Sequence, residues 1–104
     1  MSNLIVPDDI DPVIHEKVRL FILSTLAMVQ EMSFNELKVT LSLTDGNLSA
    51  HARKLEDSGY IEIDKSFIGR RPYTTLRLTK KGRKAYQKYL AMLKQIVEQG
   101  EDTR

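Results

Sequence analysis

Between Tyr60 and Leu78 the apolar residues of this chain change their period, and that change limits the folds open to it. In "YIEIDKS" Ile61 and Ile63 point one way, and in "YTTLRL" Thr74, Leu76 and Leu78 do the same. A period of two marks half-buried strands, whereas the segments on either side repeat with helical spacing. Between the strands, Gly69 and Pro72 of "FIGRRP" are more turn residues than a two-residue connection takes. The pattern therefore predicts antiparallel strands over 60–66 and 73–78, joined by an extended basic loop over 67–72. With 104 residues in all, there is room for one core, so 1–104 reads as a single domain.

The flanking helices carry their own start and stop signals. Asp11 suits an N-cap and Pro12 the first position of a helix over 11–30. In it Ile14, Val18, Phe21, Ile22, Thr25 and Val29 form one apolar stripe, and Leu20, Leu23 and Ala27 a second. Two stripes imply two partners, the chain's own core and a second subunit. Ser33 and Glu36 make a capping box at the start of a helix over 34–42. "LTDG" interrupts it, Thr44 caps a helix over 45–58, and Gly59 can take the left-handed conformation that ends it. Thr79 caps a last helix over 80–99. Its apolar residues fall as Ala85, Tyr89, Met92, Ile96 and as Tyr86, Leu90, Leu93, Val97, a seam near the 3.5-residue repeat of paired helices. The predicted fold class is mainly α with a small β-hairpin.

Several chemistries are excluded or unsupported. The chain has no cysteine, which removes disulfides, thiolate metal sites and thiol catalysis and fits a reducing cytoplasm. No apolar run approaches a membrane span, and "MSNLIVPDDID" lacks the basic start and long apolar stretch of a secretory leader. His15 and His51, well separated, make no zinc site. "DDID" at 8–11 falls short of a calcium loop. No glycine-rich phosphate loop, G-x-S-x-G or Ser–His–Asp grouping occurs. No catalytic residue, metal site or cofactor is expected.

Charge is segregated instead. Residues 44–94 hold twelve Lys and Arg against five acids, a net +7, while 1–43 amount to −3 and 95–104 to −2. A basic middle between acidic ends suits a polyanion. On the helix over 45–58, Leu48, Ala52 and Leu55 share one side. Gly46, Asn47, Ala50, Arg53, Lys54 and Asp57 take the other, flanked by Ser49 and His51. An apolar back, small residues and short polar side chains fit a helix lying in a groove of double-stranded DNA. Asn pairs with an adenine edge, Ser donates or accepts, and Ala meets a thymine methyl. His51 suits a base, a phosphate or plain packing. Arg53 and Lys54 are long enough for phosphates, with Thr44 and Lys65 as further phosphate contacts. Arg70 and Arg71 place two guanidinium forks at the hairpin tip, where they can enter a minor groove or grip phosphates. The short helix, tight connection and second helix together read as a helix-turn-helix.

"FNELKVTLSLTDGNLSAHARKLEDSGYIEI", followed by "FIGRRPYTTLRLTKKGRKAY", resembles the winged helix-turn-helix regulators of the MarR and ArsR types, in their short single-domain form. The resemblance spans residues 12–97. Its most specific pieces are "TDGNLSAHARKLEDSGYI" and the trio Leu78, Thr79 and Gly82. It implies that 44–58 is the recognition helix, with Asn47, Ser49, Ala50 and His51 facing bases, and that 65–73 is the wing, with Arg70 and Arg71 on DNA. It implies too that the outer helices dimerise, here through Leu20, Leu23, Tyr89, Met92, Leu93 and Ile96. The cysteine and histidine clusters of metal-sensing members are absent. The expected function is a homodimeric, sequence-specific transcription regulator on a pseudo-palindromic duplex, with no enzymatic activity. Any small-molecule effector would bind at the dimer interface or beside the wing. The alternative is a winged helix that docks onto protein in a larger transcription or replication assembly. That role calls for a large exposed anchor, which the recognition-helix face lacks.

Overall fold

Strands β2 (Ile61–Ile68) and β3 (Arg71–Leu78) pair antiparallel along their whole length, from Ile61 opposite Leu78 to Ile68 opposite Arg71. They are seen in a computed structural model that describes residues 4–101. The hairpin is longer and its turn tighter than the sequence suggested, because only Gly69 and Arg70 connect the strands. Gly69 has φ +62°, the left-handed geometry that two-residue hairpins require at their first central position. Pro72 is a strand residue, not a turn residue. It sits opposite Phe67, next to the closing pair, where its missing N–H faces an open edge.

A third strand, β1 (Glu31–Ser33), lies on the other side of β3, giving the order β1-β3-β2. Its three residues are too few to show a period, so the sequence does not reveal it. Gln30, at φ +70°, turns the chain out of the preceding helix, and its carbonyl accepts from the Leu78 N–H at 3.1 Å. Met32 then lies opposite Leu76, extending the apolar inner face of the sheet.

Helix α1 (Lys17–Val29) starts later than its sequence signals. Asp11 does cap, but it caps a turn. Its Oδ1 accepts from the N–H groups of Val13 at 2.9 Å and Ile14 at 3.4 Å, and its other oxygen takes the Tyr60 hydroxyl. That tertiary bond fixes Asp11 outside the helix, and Glu16 becomes the cap by accepting from the Arg19 N–H at 2.8 Å. The rest follows the caps. Helix α2 (Phe34–Thr40) begins with the Ser33–Glu36 box. Helix α3 (Asp45–Asp57) begins at Thr44, whose hydroxyl accepts from the Asn47 N–H at 3.1 Å. Helix α4 (Lys80–Glu101) begins at Thr79, which accepts from the Gly82 N–H at 2.9 Å.

Ile14, Ile22, Leu23, Leu26, Leu37, Leu48, Leu55, Ile61 and Leu76 are wholly buried together, each worth about 1.5–3 kcal/mol of burial. The helix α1 packs against α3, β3 and α4. Its buried sector is therefore wider than one stripe. Members of both predicted stripes, Ile22 and Leu23, are core, while Phe21 and Val29 stay exposed. Leu23 and Tyr89, expected at a subunit interface, are buried in the chain's own core.

The base of the hairpin is locked to α4. The Thr79 hydroxyl donates to the Gly59 carbonyl at 2.6 Å, and its N–H donates to the Tyr60 carbonyl at 3.1 Å. A Cβ on Gly82 would lie 2.0 Å from that same Tyr60 oxygen. From this junction the hairpin and α4 project, giving dimensions of 60 × 25 × 21 Å and a radius of gyration of 16.0 Å, against about 13 Å for a compact domain of this length.

Gly82→Ala is expected to lower the unfolding free energy by about 3 kcal/mol, read from the urea midpoint, since neither backbone can retreat. Burial and the bond to Asp11 push the Tyr60 hydroxyl up from 10.0 to about 12. A phenol raised on folding stabilises fully below its unfolded value and loses that contribution as pH rises through the folded one. Burial raises the Tyr89 hydroxyl as well, so tyrosinate absorbance should show a late-titrating component that loses one group in Tyr60→Phe, with the Tyr60 contribution to stability falling between pH 10 and 12.

Candidate nucleic-acid interface

The helices α2 and α3 are joined by Leu41–Thr44, in which Ser42 takes φ +55°. The Leu43 N–H closes onto the Lys38 carbonyl at 2.9 Å. Lys38 Nζ also bridges to Asp45 Oδ1 at 2.8 Å, so a cation sits beside the first residue of α3. The angle between the two helices is thus set by backbone bonds and one ion pair.

Helix α3 divides lengthwise. Leu48, Ala52 and Leu55 hold it to the core. Ser49, Arg53 and Glu56 face the hairpin and share with Ile63, Lys65 and Thr74 a cleft of about 300 Å³. Asn47 and His51 take the opposite flank, towards α1. Asn47 lines a groove with Lys17, Phe21 and Leu43, and His51 meets Arg19 and Glu16. Helical geometry leaves Gly46, Ala50, Lys54 and Asp57 furthest from the core, and all four are exposed. The four predicted base-facing residues therefore occupy three strips, with Ala50 at the centre, Ser49 towards the hairpin, and Asn47 and His51 towards α1.

Lys65 projects on the same face of the hairpin as α3, two residues outward from Ile63. Arg70 is at the turn, and Arg71 pairs with Ile68 on the opposite face. All three are exposed, as are Arg53 and Lys54. The Thr44 hydroxyl is engaged as a cap acceptor and keeps its proton free to donate. The hairpin also exposes Phe67 at 71% and Ile68 at 60%, an apolar tip visible only once the turn is seen to be two residues long.

The charge excess lies elsewhere than expected. From Asp45 to Tyr73 five bases meet five acids, whereas Arg77 and the six bases from Lys80 to Lys94 face no acid between 74 and 94. The positive character of the α3–hairpin face is local. Asp45 is occupied by Lys38, and Glu62 by Arg77 on the other face of the sheet. Two residues the sequence did not single out, Glu16 and Arg19, also reach this region through His51. Although partial burial pushes the Glu16 carboxyl up, the N–H groups of Arg19 and Val18 and the nearby His51 and Arg19 charges hold it below its ordinary value. Nothing local marks this pairing, because Arg19 and His51 are 32 positions apart.

Helix-turn-helix and hairpin, placed side by side in this way, match a known family: residues 18–97 correspond to the winged helix DNA-binding domain. The chain belongs to that family. This winged helix domain is 43% identical over 79 residues to an uncharacterized protein of Methanocaldococcus jannaschii, covering 76% of this chain and 86% of the other. Among solved structures it is similar to a transcriptional regulator homologue from Pyrococcus horikoshii, with a TM-score of 0.78 and 31% identity over 83% of this chain and 85% of that one. A MarR-like transcriptional regulator from Thermotoga maritima shares the fold, with a TM-score of 0.64 and 20% identity over 97% and 70% of the two chains. Among the described residues no helix of this winged helix domain is long and apolar enough to cross a membrane. No group of three or more potential ligands there could hold a metal ion.

Thr44→Ala is expected to cost about 1 kcal/mol in thermal or urea unfolding, as loss of the cap on the helix that builds this face.

Proposed function

We propose that this winged helix domain is a transcription regulator that binds double-stranded DNA sequence-specifically, as a homodimer on a pseudo-palindromic site. The observation that carries this reading is the cleft shared by α3 and the wing, where Ser49 and Arg53 face Lys65 and Thr74. With small residues at Gly46 and Ala50 the helix can approach bases closely. Arg53, Lys54, Lys65, Arg70 and Arg71 reach phosphates or a minor groove on either side. The P. horikoshii regulator homologue supports the same role. Such a protein works where the DNA is, in the cytoplasm, without catalysing a reaction.

Two subunits are needed because one recognition helix reads too few base pairs to be selective, and a twofold pair reads two half-sites. Leu20, Met92, Leu93 and Ile96 remain partly accessible, and Met28, Leu90 and Val97 are exposed beside them. These residues of α1 and α4 form the dimer surface, with Leu23 and Tyr89 supporting it from within. A docking role on protein is the second reading, and the exposed Phe67 and Ile68 of the wing tip favour it.

Mobility shifts with a duplex selected from a random pool separate the two. Reversing the wing by Arg70→Glu with Arg71→Glu should weaken binding by about 100-fold, and Lys65→Ala should reduce the salt slope by about 1 per subunit. Asn47→Ala should weaken the selected site more than random DNA. An unchanged shift after the charge reversal removes the wing assignment. Co-purification of a stoichiometric protein partner, abolished by Phe67→Ala, would support docking.

A further inference from the structure

His51 is tied to α1 through one ring nitrogen. Its Nδ1 lies 3.1 Å from Arg19 Nη1 and 3.5 Å from Glu16 Oε1. Arg19 is itself anchored: its Nε donates to the Val13 carbonyl, Nη2 reaches the Pro12 carbonyl at 3.5 Å, and its backbone N–H donates to Glu16 Oε1 at 2.8 Å. A guanidinium has donors only. The 3.1 Å contact therefore requires the lone pair of Nδ1, which places the proton of the neutral ring on Nε2. No buried side-chain nitrogen among the described residues lacks a partner, and Nε2 of His51 forms no hydrogen bond among them. That edge of the ring opens to solvent, one helical turn on from Asn47.

We propose that Arg19 is a positioning residue for recognition: it fixes His51 as the Nε2–H tautomer, so α3 offers a donor to an acceptor on DNA. The proposal rests on the DNA-binding reading. The acceptor is a major-groove base atom (guanine N7 or O6, adenine N7 or thymine O4) or a phosphate oxygen. The opposite tautomer would offer a lone pair at the same place and would favour the amino groups of adenine or cytosine. Glu16 completes the device. When the ring is protonated, Nδ1–H finds Glu16 Oε1, and Nε2 is still a donor. The chain thus shows DNA the same face of His51 in both protonation states. A residue of α1 thus sets what a residue of α3 can read.

The test has two arms on the full chain. In the first, long-range 1H–15N correlation is recorded about two pH units above the ordinary histidine value, with His15→Gln used to assign the remaining ring. Wild type should show Nε2 protonated and Nδ1 bare, Arg19→Lys should keep that state, and Arg19→Met should return the ring to a mixture. A protonated Nδ1 in wild type, or an unchanged ring in Arg19→Met, overturns the proposal.

In the second arm, duplexes are selected from a random pool by wild type. Arg19→Met should lose about 10-fold in discrimination at one base pair per half-site, with random DNA bound as before and no further loss in a His51→Ala background. An equal loss on every duplex, again absent with His51→Ala, assigns the acceptor to phosphate. A loss that persists with His51→Ala, while Arg19→Lys fails to restore binding, overturns the positioning role. A wild type that binds no duplex overturns the DNA-binding reading and the proposal together, and the first arm still reports the tautomer separately.

Discussion

The contact between residue 82 and the Tyr60 carbonyl is the point on which the architecture turns. Helix α3 must end, the wing begin and α4 start within one small volume, and only a residue without a side chain lets the two backbones meet there. Gly59, at φ +80°, ends α3 one residue before the meeting point. Thr79 then closes it from the other chain direction, bonding Gly59 and Tyr60 and capping α4 at once. Asp11 reaches in from the N-terminal side through the Tyr60 hydroxyl. Helix α3, the wing and the outer helices therefore share one anchor, and their relative angles follow from its hydrogen bonds.

That anchoring explains why so small a core suffices to present a precise surface. The wholly buried residues come from the turn at Ile14, α1, α2, α3, β2 and β3, and none comes from α4, whose buried positions are Gly82 and Tyr89. Polar bonds between side chains do the orienting. Ser24 meets the Tyr86 hydroxyl at 2.6 Å, and His15 meets the Tyr89 hydroxyl at 2.8 Å. The first ties α1 to α4 and the second ties the turn before α1 to α4, each with a direction that apolar contact alone does not provide.

Local chemistry was legible in the sequence, and tertiary chemistry was not. The Ser33–Glu36 box, Thr44, Gly59 and Thr79 mark helix ends through bonds made within a few residues, and all four do so in the structure. Asp11 misleads because its second oxygen is claimed by Tyr60, 49 positions away. Pro72 misleads because its tolerance depends on β1 being too short to lie beside it. The faces of α3 follow from helical geometry, so its apolar back was readable. The role of its His51 flank was not, since Arg19 and Glu16 arrive only when α1 packs. Net charge over a long window likewise hid the balance within 45–73, because the unopposed bases all lie beyond Tyr73.

A single residue, Thr79, separates the last residue of β3 from the first of α4, and it is bonded on both sides. There is no slack at this joint. Eight strand residues at about 3.3 Å each put the wing tip roughly 26 Å from it. A tilt of α4 by about 10° would therefore sweep the tip through roughly 4–5 Å, close to one strand spacing. The strand is a lever whose fulcrum is a threonine, and whatever grips the far end of α4 has its hand on the tip of the wing.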